Sequence, residues 1–279
     1  MISAQELLVR RSAVRKLIMA VSAIVLAALS VAPLSAQERE SEIITSQSAF
    51  VASLPNASVS TSPLSKDEVV DNLIRRNQER AQALVRSEAT RVYHLTYRGL
   101  PGNRDAEMTV EATYESPATK NFRVLDQSGS KVLLNHVFKK LLEGEKEAAE
   151  PEVATRTRLD RTNYDFQLAG FEPAERGGQY VLAVTPKSPS KFVYRGKVWI
   201  DAVDFAVTKI EAEPAQNPSF WTKKSEIRHE YKKIGDFWLP AKNESTSYIR
   251  LGGLATLTIE YKDYRVTDAR TMQASNLSR

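Results

Sequence analysis

The chain switches between two hydrophobic periods, and the switches mark its elements. In "LSKDEVVDNLIRRNQERAQALVRSEA", Val69, Val70, Leu73, Ile74, Ala81 and Leu84 recur at helical spacing, giving one narrow apolar stripe with a charged back. Ser65 and Glu68 have capping-box spacing, so a helix is predicted over 65–86. The period then becomes two. "TRVYHLTYRGL" alternates, "LPGN" turns, and "AEMTVEATYESP" places Met108, Val110, Ala112 and Tyr114 on one face. "KNFRVLDQSGS" continues that pattern. A second helix is predicted over 131–147, where Leu133/Val137/Leu141 and Leu134/Phe138/Leu142 form adjacent ridges and a charged tail ends at Pro151.

Beyond it lie a loop, two strands around "RGG", a hairpin over 194–214, and a closing meander at 225–232, 237–250 and 254–266. Strands outnumber helices, and helices interrupt them rather than alternate with them. That pattern predicts an α+β fold: a curved antiparallel sheet forming an unclosed β-barrel with two covering helices. With no internal repeat, residues 64–266 read as one domain, followed by a tail at 267–279.

The amino terminus belongs to a different class of segment. Arg10, Arg11, Arg15 and Lys16 precede an apolar run from Leu17 to Leu29 and then "SVAPLSAQE". Such a basic, apolar and small-residue succession is a secretory signal peptide over 1–36, cleaved near Ala36. The run is short for a membrane span, which needs about 20 apolar residues. Residues 37–63, rich in Ser, Thr and Ala, read as a flexible leader. The formal charge of +5 belongs mostly to the signal peptide: without residues 1–36, 35 basic and 33 acidic residues remain, for a net +2. No nucleic-acid footprint is left. The chain has no cysteine, so it has neither a disulfide framework nor a lipid-modified cysteine. A monomer free in the periplasm is expected.

Candidate chemistry is sparse. In "YRGKVWIDAVDFAVTKIEAEP", Asp201 and Asp204 bracket a tight turn, where carboxylates accept local backbone amides. Paired catalytic carboxylates need a substrate groove between them, and a hairpin tip supplies none. The pair turns the chain. Alternation puts Phe205 and Val207 on one face and Ala206, Thr208, Ile210 and Ala212 on the other. Both faces are apolar, so both are to be covered. His94, His136 and His229 lack metal-ligand spacing, and neither a G-x-S-x-G nor a phosphate-binding loop occurs. No catalytic residue, metal or cofactor is implied.

Aromatic residues crowd the C-terminal third: Trp199, Phe220, Trp221, Phe237, Trp238, Tyr248, Tyr261 and Tyr264. Core packing accounts for most such residues, but a thin curved sheet leaves some for a concave apolar pocket. "NYDFQLAGFE", "GGQYVLAVTPKSPSKFVYRGKVWIDAVDFAVTKIEAEPAQNPSFW" and "GDFWLPAKNESTSYIRLGGLATLTIEYKDY" resemble the bacterial exported proteins described as outer-membrane lipoprotein-sorting-protein-like. These share the fold of the lipoprotein carriers LolA and LolB and of the sigma-E regulator RseB. The resemblance covers about residues 64–266 and is most specific in "YRGKVWIDAVDFAVTKIE".

The resemblance implies an unclosed barrel whose helices cover an apolar cavity for acyl chains, with 131–147 as a lid helix. Tyr97, Phe122, Trp199, Phe220, Trp221, Trp238, Tyr248 and Tyr261 are the expected ligand-binding side chains. The implied function is a non-catalytic periplasmic carrier or binding protein for lipoproteins or another lipidic ligand. The alternative is an RseB-like envelope-stress regulator with a membrane protein partner. Against it, that kind carries a second C-terminal domain, and here little follows Val266. The carriers' functional arginine matches neither Arg98 nor Arg123 specifically.

Overall fold

A computed structural model describes residues 64–269, apart from 101, 174–176, 218–219, 221 and 251. The predicted signal peptide and leader, Trp221 and most of the tail lie outside the described residues.

Helix α1 (Lys66–Ala83) starts as its capping box dictates. The Ser65 amide donates to Glu68 Oε2 at 2.9 Å, and the Glu68 amide donates to Ser65 Oγ at 3.3 Å. Its stripe buries Val69, Val70, Leu73 and Ala81. The helix ends three residues before its predicted limit, because Leu84 enters an extended strand without a loop. That strand, β1 (Leu84–Gly99), pairs with β2 (Arg104–Glu115), and β2 pairs with β3 (Thr119–Gly129). The predicted face of β2 is the buried one: Met108, Val110, Ala112 and Tyr114 all point inward.

Helix α2 follows over 131–149, with a π segment at Leu134–Phe138 that turns both Val137 and Phe138 into the core. Pro151 does not end the helical stretch. It opens a short third helix, α3 (Pro151–Thr157), since proline fits the first turn, where its missing N–H is not needed.

The remaining strands form an unbroken meander: β4 (Tyr164–Glu172), β5 (Gln179–Pro186), β6 (Tyr194–Asp201), β7 (Val207–Pro214), β8 (Thr222–Ile234), β9 (Phe237–Ile249) and β10 (Gly253–Asp268). Strand β10 then pairs antiparallel with β1, so the ten-stranded order is β3-β2-β1-β10-β9-β8-β7-β6-β5-β4. This pairing brings Gly99 opposite Gly253, where a side-chain carbon on Gly99 would sit 2.7 Å from the Gly252 carbonyl oxygen. Strands β3 and β4 do not pair, so the barrel is open between them. The helices α2 and α3 form the connection that joins these two edges.

Two cores line the concave side. One packs α2, through Leu133, Val137, Phe138 and Leu141, onto Tyr93, Leu95, Met108, Val110, Leu257 and Ile259 of β1, β2 and β10. The other packs α1 onto Tyr164, Leu182, Val198, Ile200 and Ile210 of β4–β7. A third, smaller cluster of Leu84, Tyr114 and Phe237 borders the candidate site.

Candidate functional site: a two-lobed cleft between the cores

The β6–β7 tip shapes one wall. Asp201 Oδ1 accepts the amides of Val203 at 2.9 Å and Asp204 at 2.7 Å, which is the turn-forming role expected of it. Asp204 reaches further. Its Oδ2 accepts from Trp238 Nε1 at 2.9 Å and lies 2.6 Å from Lys233 Nζ, so it orients the Trp238 ring. The turn runs on through Phe205 at φ 47°, left-handed for a bulky residue. Arg80 at the end of α1 holds that backbone, donating to the carbonyls of Asp204 and Phe205 at 2.9 Å each.

A bulge then changes the face assignment. The register passes from Trp199↔Lys209 to Ile200↔Val207, leaving Thr208 as the extra residue. Val207 and Ile210, opposite by strict alternation, both line the cleft, while Thr208 shares the outer face with Trp199.

The larger lobe has a volume of about 140 Å³ and is walled by Ala81, Leu84, Tyr194, Ala206, Val207 and Trp238, among others. The second lobe, about 120 Å³, lies toward β1–β3 and is bounded by Ala89, Arg91, Tyr114, Lys120 and Tyr264. Leu84, Tyr231, Trp238 and Leu239 line both lobes, so the two meet there.

The second lobe ends in charge. Arg91 Nη1 lies 2.6 Å from Glu145 Oε2 of α2, and the Tyr93 hydroxyl donates to Glu145 Oε1 at 3.1 Å. Glu145 is only 3% exposed. Burial alone would raise its pKa, but Arg91, Lys120 and the two hydrogen bonds outweigh that and hold it below the usual carboxylate range. Arg91 is flanked by the rings of Tyr261 (5.0 Å) and Phe122 (5.5 Å). Lys120 lines the lobe beside it; burial pushes its ammonium pKa down, and Glu145 only partly opposes this. No ion pair or hydrogen bond reaches the Lys120 ammonium among the described residues.

The expected ligand-binding residues separate into groups. Trp238 lies in the cleft. Tyr261 and Phe122 sit behind it, against Arg91. Tyr97 is buried beneath α2, its hydroxyl donating to the Leu100 carbonyl. Trp199 is buried on the outer face under Lys209, whose Nζ lies 3.8 Å from the ring centroid. Phe220, stacked near Arg250, and Tyr248 are exposed and line neither lobe. Sequence reasoning missed Tyr194, Tyr231 and Leu239, and above all Arg91, Lys120 and Glu145. Arg91 and Glu145 did carry a signal. Arg91 is in phase with Tyr93, Leu95 and Tyr97, and Glu145 continues the ridge Leu133/Val137/Leu141 by four residues.

Among the described residues, no three His, Cys, Asp or Glu side chains gather as a metal site, and no helix is long and apolar enough to cross a membrane. No protein-family model matches the sequence, and no curated protein does. The chain is similar to a solved structure described as an outer membrane lipoprotein-sorting protein domain from Vibrio parahaemolyticus, at 11% identity and TM-score 0.38, covering 77% of this chain and 100% of that one. It is similar to a DUF1329 family protein from Desulfovibrio piger, at 13% identity and TM-score 0.37, covering 72% of this chain and 92% of that one. It is also similar to a LolA superfamily protein from Nitrosomonas europaea, at 11% identity and TM-score 0.32, covering 74% of this chain and 95% of that one. Each is a likeness of structure alone.

Proposed function

We propose that the chain is an exported, periplasmic binding or carrier protein that holds a lipidic ligand, whether the acyl chains of a lipoprotein or another lipid, without chemically altering it. The observation that carries this reading is the cleft. It is walled mainly by aliphatic and aromatic side chains between two separate cores, and helical elements border it. Such a site has a physical use: each methylene taken out of water is worth about 0.8 kcal/mol, so a long chain needs an apolar enclosure to cross an aqueous compartment. The secretory leader read at 1–36 supports the compartment.

The test is native mass spectrometry of the protein as processed by its expressing host and purified from the periplasm without detergent. A heterogeneous added mass that resolves into acyl-containing species supports the reading. A clean apoprotein that also takes up no fluorescent fatty acid sinks it. A single membrane protein co-purifying in place of lipid would favour the regulator alternative.

A further inference from the structure

Within the lipid-binding reading, on which this inference rests, we propose that the cleft selects a single-chain amphiphile with a carboxylate head, a fatty acid, its head beside Lys120 and Arg91 and its chain running past Trp238. The wall of the second lobe supplies two cations, Arg91 from β1 and Lys120 from β3, and Glu145 is the acid that acts on both. Glu145 spends its contacts on Arg91 and Tyr93 and is not within ion-pair reach of Lys120. The lobe therefore carries one positive charge more than its acids balance. Lys120 is half-buried, and a cation partly withdrawn from water without a counter-charge is costly, so the pocket is complementary to one negative charge brought in by a ligand.

The remaining geometry fits the same ligand. The Nε–H of Arg91 is sealed from solvent and has no acceptor, which leaves the guanidinium short of a partner. On the side away from the cations the lobe becomes apolar, with Leu84, Trp238 and Leu239 leading into the larger lobe. The larger lobe has Arg80 and Arg158 on its rim, but Arg80 is already engaged by the β6–β7 carbonyls, whereas the Lys120 ammonium faces the lobe with hydrocarbon beyond it, the profile of an amphiphile rather than of a neutral acyl ester. A carboxylate carries the single charge that is missing, whereas a phosphate monoester carries nearer two.

The experiment measures binding of dodecanoate, 1-dodecanol and dodecyl phosphate to the delipidated full-length processed protein, by displacement of a fluorescent fatty acid. Wild type, Lys120→Met and Lys120→Arg are compared, with circular dichroism confirming that each variant folds. Dodecanoate should bind at least tenfold more tightly than dodecanol. Lys120→Met should erase that preference without weakening dodecanol, and Lys120→Arg should keep it. Equal affinity for acid and alcohol, or a preference that survives Lys120→Met, overturns the head-group assignment while leaving a lipid cleft intact. Tighter binding of dodecyl phosphate overturns the carboxylate assignment. Failure of every probe to bind removes the lipid reading itself, and this inference with it.

Discussion

His229 lies in the middle of β8, 1% exposed, with neither ring nitrogen hydrogen-bonded. Burial lowers its pKa from 6.5 to about 4. The unfolded chain therefore binds the proton more readily. The neutral imidazole's contribution is complete above pH 6.5 and is lost as pH falls through 6.5 toward 4. The full shift is worth about 3 kcal/mol. Urea titrations at pH 7.5 and 4.5 should show that loss in the wild type and a much flatter response in His229→Gln. An equally steep response in the variant would assign the acid sensitivity elsewhere. Glu145, held below the usual range, adds its own loss only below about pH 4.5. Alternation with apolar neighbours identified His229 as a sheet residue from sequence. The same logic, applied to charged residues as strictly as to apolar ones, would have found Arg91 and Glu145. Trp199 lies on the outer face, a placement that alternation alone does not give. Its strand is apolar on both faces, and period two says that faces differ without saying which one is concave.

One buried ion pair reinforces the apolar packing of α2 on the sheet. Glu145 and Arg91 tie α2 to β1 in a buried setting, so removing one partner strands the other's charge. Arg91→Met and Glu145→Met should each cost about 3–5 kcal/mol, and the double variant less than the sum of the two. A double-mutant cycle by denaturant unfolding checks this, and strict additivity would mean the pair is not coupled. At the other end of the cleft, Arg80 clamps the β6–β7 tip through two carbonyls. Arg80→Met should cost about 1–2 kcal/mol, discounted for the partial exposure of the site. It should also sharpen the temperature dependence of Trp238 emission, because Asp204, which holds that ring, sits in the same turn. Element types were largely legible from period and caps. The bulge at Thr208 and the helix begun by Pro151 were not, since both depend on which backbone partner lies opposite.

Across the whole molecule, the sheet is one continuous ladder, and the helices α2 and α3 connect its two unpaired edges. Opening that cover breaks side-chain contacts but no strand pairing. Hydrogen exchange should therefore release the amides of α2 well before those of β1, β9 and β10, and saturation with a bound acyl ligand should slow α1 and α3, whose residues line the larger lobe, more than α2. Uniform protection of helix and sheet would argue against a separately opening cover. The half-barrel was legible from the count and spacing of strands. The position of its gap was not, because it follows from the pairing of β1 with β10, and no local pattern encodes a contact between residues so far apart in the chain.

That pairing also sets an order of events. Strands β1–β3 and β4–β9 meet only through β10, so a chain made up to residue 252 would be two sheet fragments with no shared ladder. The larger lobe takes Leu84 from the first fragment and Tyr194, Tyr231 and Trp238 from the second. Until β10 pairs with both, no ladder holds those two walls of the proposed lipid cleft in register. On the proposed reading, the capacity to hold a ligand arrives with the last strand.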